Sequence, residues 1–184
     1  MDPLLSNATD ESIASKVQGG DSSLFGMLLE RYEVKLTRYV RKFIANPEDA
    51  QDITQEVFIK AYRNIRSFNT NRKFSSWIYR IAHNEAINFL KKRRVQTIPL
   101  LEFDTLFPHT LKDDKLNTAQ DFEIKDMVAG SLELIDLKYR APLSLYYLEG
   151  FDYKEISDIL RIPVATVGVR LSRGKAMLQK KIKK

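Results

Sequence analysis

The stretch YKEISDILRIPVATVGVRLSRGKAMLQKKI, residues 153–182, decides the class of this chain. Its apolar residues return every three or four positions: Ile156, Ile159 and Leu160, then Val167, Leu171 and Leu178. That spacing belongs to helices with one buried face. Ile162-Pro163-Val164 interrupts the period. The stretch therefore reads as a short helix from Tyr153 to Arg161, a tight turn, and a second helix from Thr166 onward, the layout of a helix-turn-helix. Between the buried positions of the second helix lie Thr166, Gly168, Val169, Arg170, Ser172, Arg173 and Lys175. Small and basic groups so arranged allow close approach to a duplex and can bond base edges or phosphates. Solvated arginines on an ordinary surface helix would share part of this pattern. The short first helix, the Ile-Pro turn and the basic tail together favour DNA.

Working outward, the helical period runs through most of the 184 residues, with only 7 Gly and 6 Pro and no strand-like alternation. The class is all-α. A first helix is expected over Asp10–Gln18, stopped by Gly19-Gly20. Asp21 is expected to cap a long second helix, SSLFGMLLERYEVKLTRYVRKFIA, whose Leu24, Leu28, Tyr32, Leu36 and Tyr39 repeat at threes and fours. Asn46-Pro47-Glu48-Asp49 restarts the chain: Asn caps, Pro takes the first helical position, and two acids meet the positive end of the dipole. This third helix should reach Ile65. A polar loop, Ser67 to Lys73, precedes a fourth helix that begins at Phe74 and ends in Lys91-Lys92-Arg93-Arg94. From Val95 to Thr118 the period breaks, with Pro99 and Pro108 among mixed acids. The expected organisation is two small helical domains, 1–94 and 119–184, joined by a flexible linker at 95–118.

Composition excludes several functions. There are no cysteines, so disulfides, thiol nucleophiles and Cys-ligated metals are ruled out. The two histidines, His83 and His109, are far apart in the chain, and no metal or other cofactor is expected. No Walker-type loop, HExxH or nucleophile constellation is present, so no catalytic residue is assigned and no small-molecule substrate is expected. The start lacks a signal-peptide layout, and no apolar run approaches the roughly 18 residues that cross a bilayer. A soluble, cytoplasmic protein is expected. The net charge of +6 is unevenly spread: −3 over 1–60, +8 over 61–94, −6 over 95–136 and +7 over 137–184. Two basic blocks separated by an acidic one fit two polyanion-facing surfaces, although solvated Lys/Arg faces would give the same totals.

On a wheel of about 100° per residue, the third helix turns Ala50, Ile53, Thr54, Val57, Ala61 and Ile65 to one side. The opposite side carries Asp52, Gln55, Glu56, Ile59 and Arg63. A single exposed Ile is ordinary. Ringed by acids and an amide, it also fits a docking face that is apolar at its centre and charged at its rim. The fourth helix turns Phe74, Ile78, Ile81, Ala82 and Phe89 inward. A neighbouring stripe holds Trp77, Arg80, Asn84, Asn88 and Lys91, an aromatic platform with amides and a basic ladder suited to single-stranded DNA. The loop before it, with Asn69, Asn71, Arg72 and Lys73, could close over an unstacked base. A Trp77 buried in the core would satisfy the same geometry.

At these residues the sequence resembles bacterial sigma factors of the extracytoplasmic-function group. The resemblance rests on Gly20-Asp21 with Phe25 and Arg31-Tyr32, on DAQDITQEVFIKAYRNI (49–65), on FSSWIYRIAHNEAINFLKKRR (74–94) and on LYYLEGFDYKEISDILRIPVATVGVRLSRGKAML (145–178). It implies that residues 1–94 correspond to region 2 and about 120–184 to region 4. It implies docking of the 49–65 helix, through Asp49, Asp52, Gln55, Glu56 and Ile59, on the β′ subunit of core RNA polymerase, with β as a further partner. It implies reading and melting of the promoter −10 element by the 74–94 helix and its loop, with Asn84 and Asn88 matching the family's paired asparagines. Duplex −35 contacts map onto Thr166, Gly168, Val169, Arg170, Ser172 and Arg173. The linker is implied to thread the polymerase cleft, and an anti-sigma factor is implied as a further partner. Gly168 and Val169 stand where the family commonly has a basic residue and a serine, and Glu85 and Ile87 lie between the asparagines. The binding mode carries over; the base preferences do not. A stand-alone helix-turn-helix regulator is the alternative function; it would need no Trp77/Asn84/Asn88 stripe.

Overall fold

Asn46 sets the start of the third long helix. Its side-chain oxygen accepts from the N–H groups of Glu48 (2.8 Å) and Asp49 (3.1 Å), two of the donors a helix start leaves unpaired. Pro47 needs no partner there. In a computed structural model, which describes residues 8–94, 128 and 130–182, the helices so defined are α1 (Asp10–Gln18), α2 (Phe25–Val40), α3 (Pro47–Asn64), α4 (Phe74–Arg94), α5 (Leu137–Leu143), α6 (Tyr153–Leu160) and α7 (Val164–Ile182). They fall into two compact units, Met1–Leu90 and Lys91–Lys184. The linker expected at 95–118 lies outside the described residues.

In the first unit, α1 is capped by Thr9, whose hydroxyl accepts from the Ser12 N–H. Asp10 fastens α1 to α2: its carboxylate takes the Arg31 guanidinium at 2.6 Å and the Tyr32 hydroxyl. Asp21 does not cap α2 as expected. It accepts from the Ser23 hydroxyl, and a 3₁₀ turn at Ser22–Leu24 leads into the helix instead. The helix also stops at Val40, short of Ala45, in turns that leave Phe43 and Ile44 buried. The core holds Ile13, Leu28, Leu36, Tyr39, Phe74 and Ile78, together with every α3 residue assigned inward. Phe58, Tyr79 and Ala86 are buried as well, while Ile81 and Phe89 are only half-buried. His83 meets the Tyr39 hydroxyl at 3.1 Å and the Phe43 ring at 5.9 Å between centroids. Burial pushes its imidazole down to about 4, so the ring is neutral at pH 7.

In the second unit, Pro142 sits inside α5. Having no N–H for the carbonyl four residues back, it is followed at once by a wider turn, Ser144–Leu148, closed by Glu149 N–H on the Ser144 carbonyl at 3.1 Å. Pro142 thus changes the helical register instead of ending the helix. α6 carries a capping box, with Asp152 and Glu155 each accepting from the other's N–H at 2.8–2.9 Å. Arg161, with φ of 57°, turns the chain out of α6. Ser157 holds that turn, donating from its hydroxyl to the Ile162 carbonyl at 2.6 Å. α7 then begins at Val164, two residues before the expected Thr166. It packs against α5 so closely that a Cβ on Gly174 would stand 2.8 Å from Leu143 Cδ1 and 3.2 Å from Tyr139 Cβ.

Two outcomes follow. Gly174→Ala gains helix propensity of about 1 kcal/mol but meets an overpacking cost of about 1–3 kcal/mol. Thermal melting should show no stabilisation, and a net loss wherever α5 does not yield. The His83 pKa is lower in the folded chain than the usual 6.5. Above 6.5 both states are neutral and nothing is lost. As pH falls from 6.5 to about 4 the unfolded chain binds a proton that the folded chain refuses, so stability drops by up to about 3 kcal/mol. Denaturant titrations across that window should show a flatter profile for His83→Gln.

Candidate nucleic-acid and protein interfaces

The outer face of α3 is assembled as the wheel predicted. Asp52 and Gln55 are exposed, Asp49 and Glu56 half-buried, and Ile59 stands 45% exposed among them. Tyr62, one turn on and 46% exposed, extends the apolar centre; its ring meets Phe25 edge-on at 5.1 Å. The wheel assignment missed it, although its three-residue spacing from Ile59 was visible. Val34 on α2 is a further exposed apolar side chain. At the inner rim, Lys60 lies 3.7 Å from Glu56 and 2.5 Å from Glu85, joining α3 to α4.

On α4, Trp77 is neither core nor free platform. It is half-buried, with its ring 5.2 Å from Phe68 and 5.5 Å from Phe74, both of which are buried. One side of the indole is thus braced and its position fixed, a geometry suited to stacking. Asn84, Asn88 and Lys91 are exposed along the same stripe and Arg80 is half-buried. From residue 77 to residue 91 the stripe runs about 21 Å at the α-helical rise. Asn69, Asn71, Arg72 and Lys73 are exposed in the loop above. The loop is stiffened locally: the Asn69 side chain accepts from Asn71 N–H at 2.9 Å, and its carbonyl from Arg72 N–H at 2.9 Å. Glu85 is the one acidic residue between 61 and 94, and Lys60 neutralises it.

On α7, Ser172 and Arg173 are exposed, and Thr166, Val169, Arg170 and Lys175 are half-buried. Gly168 is buried, contrary to its expected place on the open face. It lies one residue after buried Val167 and three before buried Leu171, on the flank of α7 that the packing of its own unit covers. Val164, at the helix start, is exposed instead. Among the described residues no three His, Cys, Asp or Glu side chains gather as a metal site, and no helix is long and apolar enough to cross a membrane.

Residues 28–95 match the family model for Sigma-70 region 2, and residues 128–178 match that for Sigma-70, region 4. The chain is 33% identical over 175 residues to the ECF RNA polymerase sigma factor SigW of Bacillus subtilis (strain 168), covering 91% of this chain and 94% of that one. It is 32% identical over 181 residues to the ECF RNA polymerase sigma-E factor of Escherichia coli (strain K12), covering 95% and 94%. Among solved structures, CnrH in complex with the cytosolic domain of CnrY superposes with a TM-score of 0.70 at 23% identity, covering 95% of this chain and 97% of that one, which is a likeness of fold. The sigma factor RpoE of Bartonella quintana, solved with the anti-sigma factor NepR, gives 0.65 at 22% identity over 86% of this chain and 96% of that one.

Trp77 is the single tryptophan in the sequence, so indole emission reports on this one site. Adding a single-stranded oligonucleotide should quench or shift it, and Phe68→Ala should weaken the response. An intact duplex should leave it unchanged.

Proposed function

The chain belongs to the extracytoplasmic-function group of RNA polymerase sigma factors, and from that premise we propose how its surfaces divide the family's work. It joins core RNA polymerase and directs promoter-specific initiation of transcription, with no catalytic step of its own, in the cytoplasm, where polymerase and promoter meet. Residues 1–94 act as region 2, 119–184 as region 4, and 95–118 as the tether between them.

In this reading the outer face of α3 docks on the β′ subunit. Ile59 and Tyr62 supply the apolar centre, while Asp49, Asp52, Gln55 and Glu56 set orientation and encounter rate through charge. α4 and its loop then take the unwound −10 strand: Trp77 stacks on a base, Asn84 and Asn88 bond base edges, and Asn69, Asn71, Arg72, Lys73, Arg80 and Lys91 hold the backbone or close over the flipped base. α7 reads the −35 duplex from the major groove with Thr166, Val169, Arg170, Ser172, Arg173 and Lys175. Gly168 contributes a backbone that neighbouring side chains can pack over rather than a contact of its own. β and an anti-sigma factor complete the set of partners. The observation that carries this reading is the braced, half-open indole on the same face as two exposed asparagines. A stand-alone duplex-binding regulator has no use for that face, and the near full-length likeness to sigma factors does not favour one.

Run-off transcription with core polymerase should yield product only when this protein is added. Asp52→Arg with Glu56→Arg should abolish co-elution with core while helical content and melting stay unchanged. Arg173→Ala should weaken −35 duplex binding by about 1–3 kcal/mol. Asn84→Ala should impair open-complex formation and leave duplex binding intact.

A further inference from the structure

The loop above Trp77 is held at both ends by a helix distant in sequence. At its entrance, the Gln18 side-chain amide donates to the Ile65 carbonyl at 2.8 Å and to the Phe68 carbonyl at 2.7 Å. At its exit, the Glu11 carboxylate accepts from the Phe74 N–H at 2.8 Å. Both side chains come from α1, and both are half-buried.

They tie down groups at the two ends of the loop, part of which the local chain leaves open. Ile65 and Phe68 lie where the chain leaves α3; the Ile65 carbonyl already accepts from the Phe68 N–H at 3.0 Å and takes Gln18 on its second lone pair, while the Phe68 carbonyl lies beyond the helix end. Phe74 opens α4, and the residue before it is Lys73, whose side chain accepts no hydrogen bond. Glu11 therefore settles, from 63 residues away, one of the N–H groups that this helix start leaves open. α1 is in turn anchored on α2, through Asp10 to Arg31 and Tyr32 and through the Ala8 carbonyl to Arg31. The path runs from the α2 surface, through α1, to both ends of a loop whose apex, Asn69 to Lys73, is open to solvent.

From this geometry we propose that Gln18 and Glu11 are positioning residues of the single-strand pocket. α1 pre-sets the loop at the height and angle needed to close over an unstacked base, so binding need not bear the entropy of ordering it. The inference rests on the reading of α4 and its loop as the −10 reader, and it adds to that surface a helix that touches no DNA. Displacing α1 would release both loop ends together.

The test uses the full chain and a single-stranded oligonucleotide of the −10 sequence, followed by Trp77 emission or by anisotropy well below the melting temperature. Gln18→Leu keeps bulk and removes both donors. It should lower single-strand affinity by about tenfold, the effect of one lost set of orienting hydrogen bonds. Duplex −35 binding and core co-elution should be unchanged. Glu11→Ala should do the same, and Glu11→Gln, which keeps an acceptor oxygen, should bind like the parent. Parent-like affinity in Gln18→Leu overturns the proposal. So does a parallel loss of core binding, which would mark a general structural role, and so does Glu11→Gln falling as far as Glu11→Ala. Asn84→Ala and Trp77→Ala, both followed by anisotropy of a labelled oligonucleotide, separate the two readings. If they weaken single-strand binding and Gln18→Leu does not, only the role of α1 fails. If none of them matters, the assignment of the −10 surface fails with it.

Discussion

Helix ends are the controlling constraint in this protein. Each α-helix terminus strands up to four N–H or C=O groups, and an all-α chain must settle many such ends with very few glycines and prolines. Some are met locally, as by Asn46 for α3 and by the Asp152–Glu155 pair for α6. Others are met from afar, as by Gln18 and Glu11. The distinction sorts the loops. Where the cap is local, the loop's shape belongs to its own residues. Where the cap is remote, the loop becomes part of the tertiary structure and inherits its rigidity, which is what a binding loop without secondary structure requires.

The same distinction explains what could be read from sequence. The bounds of α1 and the start of α3 and α4 were legible because apolar spacing and turn residues mark them directly. The α3 face was legible because a wheel needs only one straight helix. Asp21 misled because an acid before an apolar run resembles a cap, yet the chain there enters through a 3₁₀ turn and the carboxylate binds Ser23. Gly168 misled because a small residue two places before Arg170 suggested openness, whereas burial depends on what the flank of α7 meets. Phe58, Tyr79 and Ala86 were passed over because a single wheel allows one buried stripe, and a helix touched by several others buries more. The remote caps on the loop were invisible, since nothing in local spacing joins residues 11 and 74.

Charge follows the fold rather than the reverse. The basic block at 61–94 contains one acid, Glu85, and it lies on the helix that carries the asparagine stripe. Left alone it would repel a phosphate backbone. Lys60, reaching across from α3, sits 2.5 Å away and is held charged, chiefly by its hydrogen bond to Glu85. Glu85 is largely covered while Lys60 stays near the surface, so the pair is only partly screened by solvent. Its effect is on the field at the surface, where it keeps one face cationic while the opposite side of α3 stays acidic. Two surfaces of opposite sign thus share one helix pair.

α7 spans 19 residues, about 28 Å at the α-helical rise, more than twice the roughly 12 Å width of a major groove. In the proposed duplex reading only the N-terminal part of α7, through Arg173 and Lys175, can lie in the groove. The second half rests on α5, where Gly174 lets the two helices meet at side-chain contact with Leu143 and Tyr139. The helix is therefore a lever with its fulcrum in the core. The separation of the axes at Gly174 sets the tilt of the exposed tip, and an ångström gained there swings the tip further. In the proposed duplex reading, the seating of Gly174 against Leu143 would set the aim of the tip, so a substitution there would re-aim it without altering any residue proposed to meet a base.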